Sequence, residues 1–173
     1  MATIAELLAS SLNALKQVQR GEDFTIIKSS DLSRTHIKRL VDNHFLKPII
    51  KGWYVVTDPR ATPGDSTAWY ASFWSFISRY ANERYGNEWC LSAEQSLSIY
   101  TGATIIPNQV LIRAPKGNDY MVPLIPPTSV FNLGAELPSK IDTNNPYNLN
   151  LYTLAEAIIV ATPTMYRNDA LTM

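Results

Sequence analysis

Apolar residues recur every three or four positions in the first part of the chain, which predicts an amphipathic helix over 4–18. A β-branched run over 24–27 predicts a short strand, and the Ser and Asp residues of 29–33 are typical of helix caps. The stretch 34–45 again has helical periodicity, with an apolar side that includes His44 and a polar side opposite. We therefore expect His44 to pack in the core.

Two extended arms over 46–57 surround the pair Lys51-Gly52, which predicts a β-hairpin directly after the second helix. Further along, aromatic residues at helical spacing predict a long helix over 66–86. Such a stripe is also what a stacking surface for single-stranded nucleic acid requires, but aromatic residues at this spacing more often form a core. The stripe is wider than one helix face, which favours burial on more than one side or contact with a partner.

The rest of the chain is predicted to combine two short helices with a small sheet. Ser92 is a candidate N-cap, and Gln95 lies at the position that a reciprocal capping box requires. A final helix is expected over 152–162. Polar turns separate three apolar or alternating runs, which predict strands over 109–115, 119–126 and 128–133.

These elements predict an α+β fold in two domains. Residues 57–67 combine prolines and a glycine with Asp and Thr, which is the composition of turns and short linkers. We therefore expect one domain over 1–58 and a second, small α+β domain over 66–173.

The charge of the chain is balanced overall but not locally. Fifteen Lys and Arg oppose fifteen Asp and Glu, which excludes a uniformly basic protein that coats nucleic acid and an acidic tail. Residues 1–60 nevertheless carry nine basic and six acidic residues, a net +3, and the remainder carries −3. Within 25–57, six basic residues accompany only two acidic ones. Any nucleic-acid contact is therefore expected in the first sixty residues, although an ordinary solvated face would have the same composition.

Residues that could support catalysis or hold a metal are few. The two histidines, His36 and His44, lie more than two turns apart on one short helix, too far to share a zinc ion. Gly117 stands outside any glycine-rich pattern that binds phosphate. The single cysteine, Cys90, cannot form an internal disulfide and favours a reducing compartment. We expect no enzyme activity, metal or cofactor, and, since no targeting or membrane segment is visible, a cytoplasmic protein with no membrane contact.

A basic helix followed at once by a hairpin is the arrangement with the clearest functional meaning. Thr35, Lys38 and Arg39 are expected on the outer face of the helix, where these residue types reach base edges in a DNA major groove. The two lysines of the hairpin would then lie beside backbone phosphates. Asp42 is expected on the same outer face and opposes phosphate binding.

Three segments resemble the AbiEi-type antitoxins and related transcriptional regulators. Residues 29–56, SSDLSRTHIKRLVDNHFLKPIIKGWYVV, resemble the N-terminal winged helix-turn-helix of that family. Residues 89–115, WCLSAEQSLSIYTGATIIPNQVLIRAP, are similar to its second domain, and residues 151–159, LYTLAEAII, match the position of that domain's next helix. Together the segments cover most of 26–160.

Two features depart from the family pattern. The stretch between the first helix and the basic helix is too short to hold the second helix of a standard helix-turn-helix. The chain also stops where the family's second domain continues, which predicts the N-terminal region of a longer protein, similar to the leading region of some Fic-domain proteins. The Fic signature, His-Pro-Phe followed by Gly-Asn-Gly-Arg, does not occur in these residues.

The resemblance implies a DNA-binding regulator or antitoxin of a toxin–antitoxin or phage-defence system. Its partners would be double-stranded DNA, a second copy of itself, and an effector or toxin protein or a fused C-terminal domain. An alternative hypothesis is a protein-interaction module that restrains a Fic or nucleotidyltransferase effector without binding DNA. The residues expected to contact DNA are Thr35, His36, Lys38, Arg39, Lys47 and Lys51.

Overall fold

The computed structural model describes residues 3–19, 25–62 and 64–162, and it confirms a mixed α+β fold. The chain divides into two compact units, Met1–Phe73 and Trp74–Met173. The division falls inside a long helix, α3 (Thr67–Tyr85), rather than in the turn-rich segment 57–67. Turn-forming residues mark where a chain changes direction, whereas a unit is defined by which side chains pack together.

In the first unit, two helices pack with a small sheet. The three strands are antiparallel, and the last strand lies in the middle of the order β1-β3-β2. Leu15, Ile27, Leu40 and Leu46 come from four different elements and are buried in one core. The elements are α1 (Ile4–Gln19), β1 (Ile26–Lys28), α2 (Arg34–Asp42), β2 (Leu46–Ile50) and β3 (Trp53–Val56).

Helix α2 has a defined start and ends earlier than its hydrophobic pattern predicts. Ser33 caps it, since the Ser33 hydroxyl accepts a hydrogen bond from the His36 amide at 3.3 Å. The helix ends at Asp42, and His44 then adopts a positive φ of 62°. The prediction that His44 packs in the core is therefore wrong: the left-handed backbone turns its side chain to solvent, while Phe45 packs against the core.

A tight turn over 29–33 joins β1 to α2. The Asp31 carboxylate accepts a hydrogen bond from the Lys28 amide at 2.8 Å, which closes the turn, and Leu32 is buried beneath it. The predicted hairpin is confirmed by the pairing of β2 with β3. Its turn depends on Gly52, whose φ is 82°.

The second unit contains a four-stranded mixed sheet in the order β4-β5-β7-β6, in which β5 and β7 are parallel. Three strands come from the predicted runs, so that prediction is confirmed. A separate two-stranded sheet joins β8 to β9. After α3, the elements are β4 (Cys90–Leu91), α4 (Ala93–Tyr100), β5 (Gln109–Ala114), β6 (Tyr120–Pro123), β7 (Ser129–Gly134), β8 (Ile141–Asp142), β9 (Leu151–Tyr152) and α5 (Leu154–Val160).

Helix α4 is capped as expected, but one predicted contact is different. The Ser92 hydroxyl accepts a hydrogen bond from the Gln95 amide at 3.3 Å, which confirms the N-cap. The Gln95 side chain does not complete a capping box. It donates to the carbonyl of Gln109 at 2.8 Å and accepts from the amide of Leu111 at 3.0 Å, both on β5.

The aromatic residues of α3 are mainly buried, which confirms the core interpretation of the stripe rather than a stacking surface. In the second unit, two of its tyrosines meet a buried polar residue, Asn132. The Asn132 carbonyl oxygen accepts from the Tyr85 hydroxyl at 2.9 Å, and its amide group lies 3.3 Å from both the Tyr80 hydroxyl and the Tyr120 carbonyl. Asn132 therefore joins α3, β6 and β7 by hydrogen bonds.

Candidate nucleic-acid interface

The outer face of α2 presents polar and basic side chains to solvent. Arg34, Thr35 and Lys38 are exposed, as the helical pattern predicts for Thr35 and Lys38. The Lys38 ammonium donates to the Asp42 carboxylate at 2.7 Å, across one helical turn. The two side chains are 76% and 55% exposed, so this ion pair is weak and water screens it.

His36 is oriented toward α1 and not along the outer face. Its Nδ1 lies 2.9 Å from the hydroxyl of Ser11, a residue that is fully buried. The same hydroxyl donates to the Leu7 carbonyl at 3.1 Å, so it accepts a hydrogen bond from the imidazole when Nδ1 carries the proton. His36 thus connects α2 to α1. Arg39, three residues later on the same helix, is half-buried.

The hairpin turn brings a third cation to the same surface. Lys51 is exposed at the turn between β2 and β3, and it lines a groove with Arg34 and Lys38 of α2. The volume of this groove is about 500 Å³. Its wall is largely apolar and is formed by Ile37, Val41, Pro48, Ile50 and Tyr54. A smaller cavity of about 350 Å³ adjoins it where Arg34 meets the hairpin turn.

Lys47 lies elsewhere. It lines a different cavity of about 610 Å³ together with two acidic residues, Asp58 and Asp65. Hydrogen bonds from Thr67 lower the pKa of Asp65, and the positive charge of Lys47 adds to the effect. The structure therefore brings Lys47 to a carboxylate, whereas Lys51 lies beside α2.

The candidate residues from the sequence omit Arg34, which contributes to the surface. Arg34 lines both the groove and the smaller cavity. The spacing in the sequence indicates this position, because Arg34 is four residues before Lys38 and therefore lies on the same side of the helix. The two cations of α2 that line the groove with Lys51 are thus Arg34 and Lys38.

Two reactive groups of the second unit, the Cys90 thiol and the Tyr100 hydroxyl, are buried or hydrogen-bonded. Burial raises the pKa of the Cys90 thiol to about 12, which keeps it protonated at neutral pH. Burial and the hydrogen bond to Asp142 raise the pKa of Tyr100. No three His, Cys, Asp or Glu side chains come together as metal ligands in the described parts of the chain. Within those same parts, none of the helices has the length and apolar character needed to cross a membrane.

Comparisons with known proteins give no relative for this chain. No family model matches it, and neither the curated proteins nor the solved structures contain a significant match.

Proposed function

We propose that this protein is a DNA-binding transcriptional regulator of the antitoxin type, whose first unit binds duplex DNA through α2 and the β2–β3 hairpin. The element order α1-β1-α2-β2-β3 and the strand order β1-β3-β2 support a winged-helix arrangement in which one helix is replaced by a turn. In this arrangement α2 is the recognition helix and the hairpin is the wing.

The observation that carries this proposal is the convergence of exposed cations on one surface. Arg34 and Lys38 extend from α2 and Lys51 from the hairpin turn, and all three line one groove. Cations in this position neutralise phosphates and release counterions, while the exposed Thr35 and Lys38 are placed to reach base edges. The surface spans two elements, as a helix in the major groove with a wing on the backbone requires.

Contacts behind the surface keep α2 in place. Ile37 and Leu40 are buried in the core of the unit, and the contact between His36 and Ser11 fixes the opposite flank against α1. We therefore assign His36 a positioning role on the protein side. The DNA contacts are assigned to polar residues of α2 and to the hairpin turn, namely Arg34, Thr35, Lys38, Arg39 and Lys51.

The salt dependence of duplex binding tests the proposal. Fluorescence anisotropy with a labelled duplex should give an association constant whose logarithm falls linearly with the logarithm of the salt concentration. The double substitution Lys38→Ala, Arg39→Ala should weaken binding and make the slope shallower. Lys116→Ala, Lys140→Ala removes the same charge from exposed positions of the second unit and should leave both unchanged. If the two double variants weaken duplex binding equally, binding depends only on the net charge of the protein, and the proposal is wrong.

A second candidate function is favoured by the apolar wall of the groove. Ile37, Val41, Pro48, Ile50 and Tyr54 form a surface of the kind that receives a protein segment. In that case α2 and the hairpin restrain an effector such as a Fic or nucleotidyltransferase protein. The strength of an apolar interface depends only weakly on salt. A duplex-binding constant that does not change between 50 and 200 mM salt would therefore favour this candidate.

A further inference from the structure

The smaller cavity between α2 and the hairpin turn has a lining that suits a phosphate group. Its volume is about 350 Å³, and it is lined by Ser29, Arg34, Ile37, Lys51, Gly52 and Tyr54. Two of these six residues are cations and none is acidic. Neither Arg34 nor Lys51 is in an ion pair with any residue that the structure describes. Two like charges beside one cavity repel each other, so an anion held between them is stabilised by both.

The backbone around the cavity is fixed in position. The Ser29 amide donates to the Gly52 carbonyl at 2.8 Å, which ties the hairpin turn to the end of β1. A side chain at position 52 would place its Cβ 3.3 Å from the Ser29 hydroxyl oxygen, so glycine leaves that hydroxyl uncrowded. The hydroxyl is then available as a third donor to an anion.

We propose that Arg34 and Lys51 bind a single phosphate of a nucleotide between them, while the apolar wall of the adjoining groove contacts the sugar. The guanidinium offers a planar fork of donors to phosphate oxygens, and the ammonium adds a mobile point charge. This proposal rests on the proposed DNA binding and specifies which part of the duplex, a backbone phosphate, binds at this end of the groove. A backbone phosphodiester and the phosphate of a free nucleotide share this chemistry.

A double-mutant cycle on duplex binding tests the shared phosphate. Arg34→Ala and Lys51→Ala remove exposed side chains, so both variants should stay folded by circular dichroism. Each should weaken duplex binding by up to about fivefold at 0.15 M salt and lower the salt slope by up to about 0.9. Since both cations hold the same group, the double variant should lose clearly less than the product of the two single losses. Lys116→Ala, the control in the second unit, should bind like the original protein.

Two results of this cycle would overturn the proposal while leaving DNA binding by α2 in place. The first is a double variant that keeps the original affinity and slope. The second is strict additivity of the two single effects, which would mean that the cations contact separate phosphates.

A second measurement separates duplex DNA from a free nucleotide. AMP is titrated into the isotope-labelled protein, and the backbone amide signals of Ser29 and Gly52 are followed by NMR. If the duplex does not bind but AMP shifts these signals in the original protein and not in the double variant, the cavity binds a free nucleotide and the proposed DNA binding fails. Equal shifts from adenosine, which has no phosphate, would contradict the phosphate assignment. Absence of binding by both the duplex and AMP would overturn it as well.

Discussion

Asp42 is the acidic residue that most directly opposes DNA binding by α2, and its removal is expected to strengthen that binding. Its carboxylate accepts a hydrogen bond from the Lys38 ammonium at 2.7 Å, and Asp42 lines the groove with Arg34 and Lys51. In the proposed complex with DNA, this carboxylate would compete with a phosphate for Lys38. Asp42→Asn keeps the shape of the side chain but removes the charge, so Lys38 becomes free to contact DNA.

The size of the effect follows from the exposure of the pair. An exposed pair one helical turn apart contributes only about 0.3–0.5 kcal/mol, so its loss leaves the unit folded. Asp42 is also the last residue of α2, where a carboxylate opposes the helix dipole, which offsets part of that loss. Since Lys38 must leave this carboxylate before it binds a phosphate, Asp42→Asn removes a cost of about 0.3–0.5 kcal/mol and should strengthen duplex binding about twofold.

The chain offers a closely matched control for this substitution. Glu88 and Lys116 form an ion pair of 3.0 Å in the second unit, with exposures of 59% and 77% against 55% and 76% for Asp42 and Lys38. Glu88→Gln therefore releases a lysine of nearly equal exposure and changes the net charge by the same amount. Fluorescence anisotropy over 50–200 mM salt compares the two variants. If Asp42→Asn binds no tighter than Glu88→Gln, or binds more weakly than the original protein, the orientation assigned to α2 is wrong.

Three further predictions concern the packing inside the two units. Asn132→Ala should lower the free energy of unfolding by about 3 kcal/mol in urea, because several buried polar groups lose a partner, whereas Tyr85→Phe should cost about 1 kcal/mol; a loss below 1 kcal/mol for Asn132→Ala would contradict the network. Ser11→Ala should cost about 1 kcal/mol and broaden the NMR signals of the His36 ring, and unchanged ring signals would count against the contact. Because burial raises the pKa of Cys90 to about 12, the unfolded thiol ionises at lower pH than the folded one. The free energy of unfolding should therefore fall as pH rises from about 9 to 12, by at most about 1.4 kcal/mol per pH unit, and Cys90→Ala should remove this component of the decline.

Local sequence signals predict much of the first unit, and the errors have definite physical causes. The periodicity of α2 and the glycine of the hairpin turn act over a few residues, so both elements could be predicted. The helical periodicity placed His44 wrongly because the pattern was extended past Asp42, where the helix ends and His44 adopts a left-handed backbone conformation. Lys47 and Lys51 are predicted together because both belong to the hairpin, although the structure places the two beside different cavities.

In the second unit, several strands are too short to be predicted from the hydrophobic pattern of the sequence. Strand β4 has two residues and pairs with Arg113 and Ile112, more than twenty positions away. The strands β8 and β9 are equally short and also pair across a loop. A two-residue strand has no periodicity of its own, so its existence depends on a partner that only the tertiary structure brings near.

The side chain of Gln95 protects part of a sheet edge from pairing with another copy of the protein. Strand β4 covers β5 only at positions 112 and 113, and beyond it the Ser92 amide donates to the Leu111 carbonyl at 3.1 Å. The Gln95 amide group then satisfies the Leu111 amide and the Gln109 carbonyl, as a neighbouring strand would. An open row of such groups is a template on which another chain can add a strand and begin to aggregate. A single glutamine on a helix thus closes the sheet where its edge strand is too short to do so.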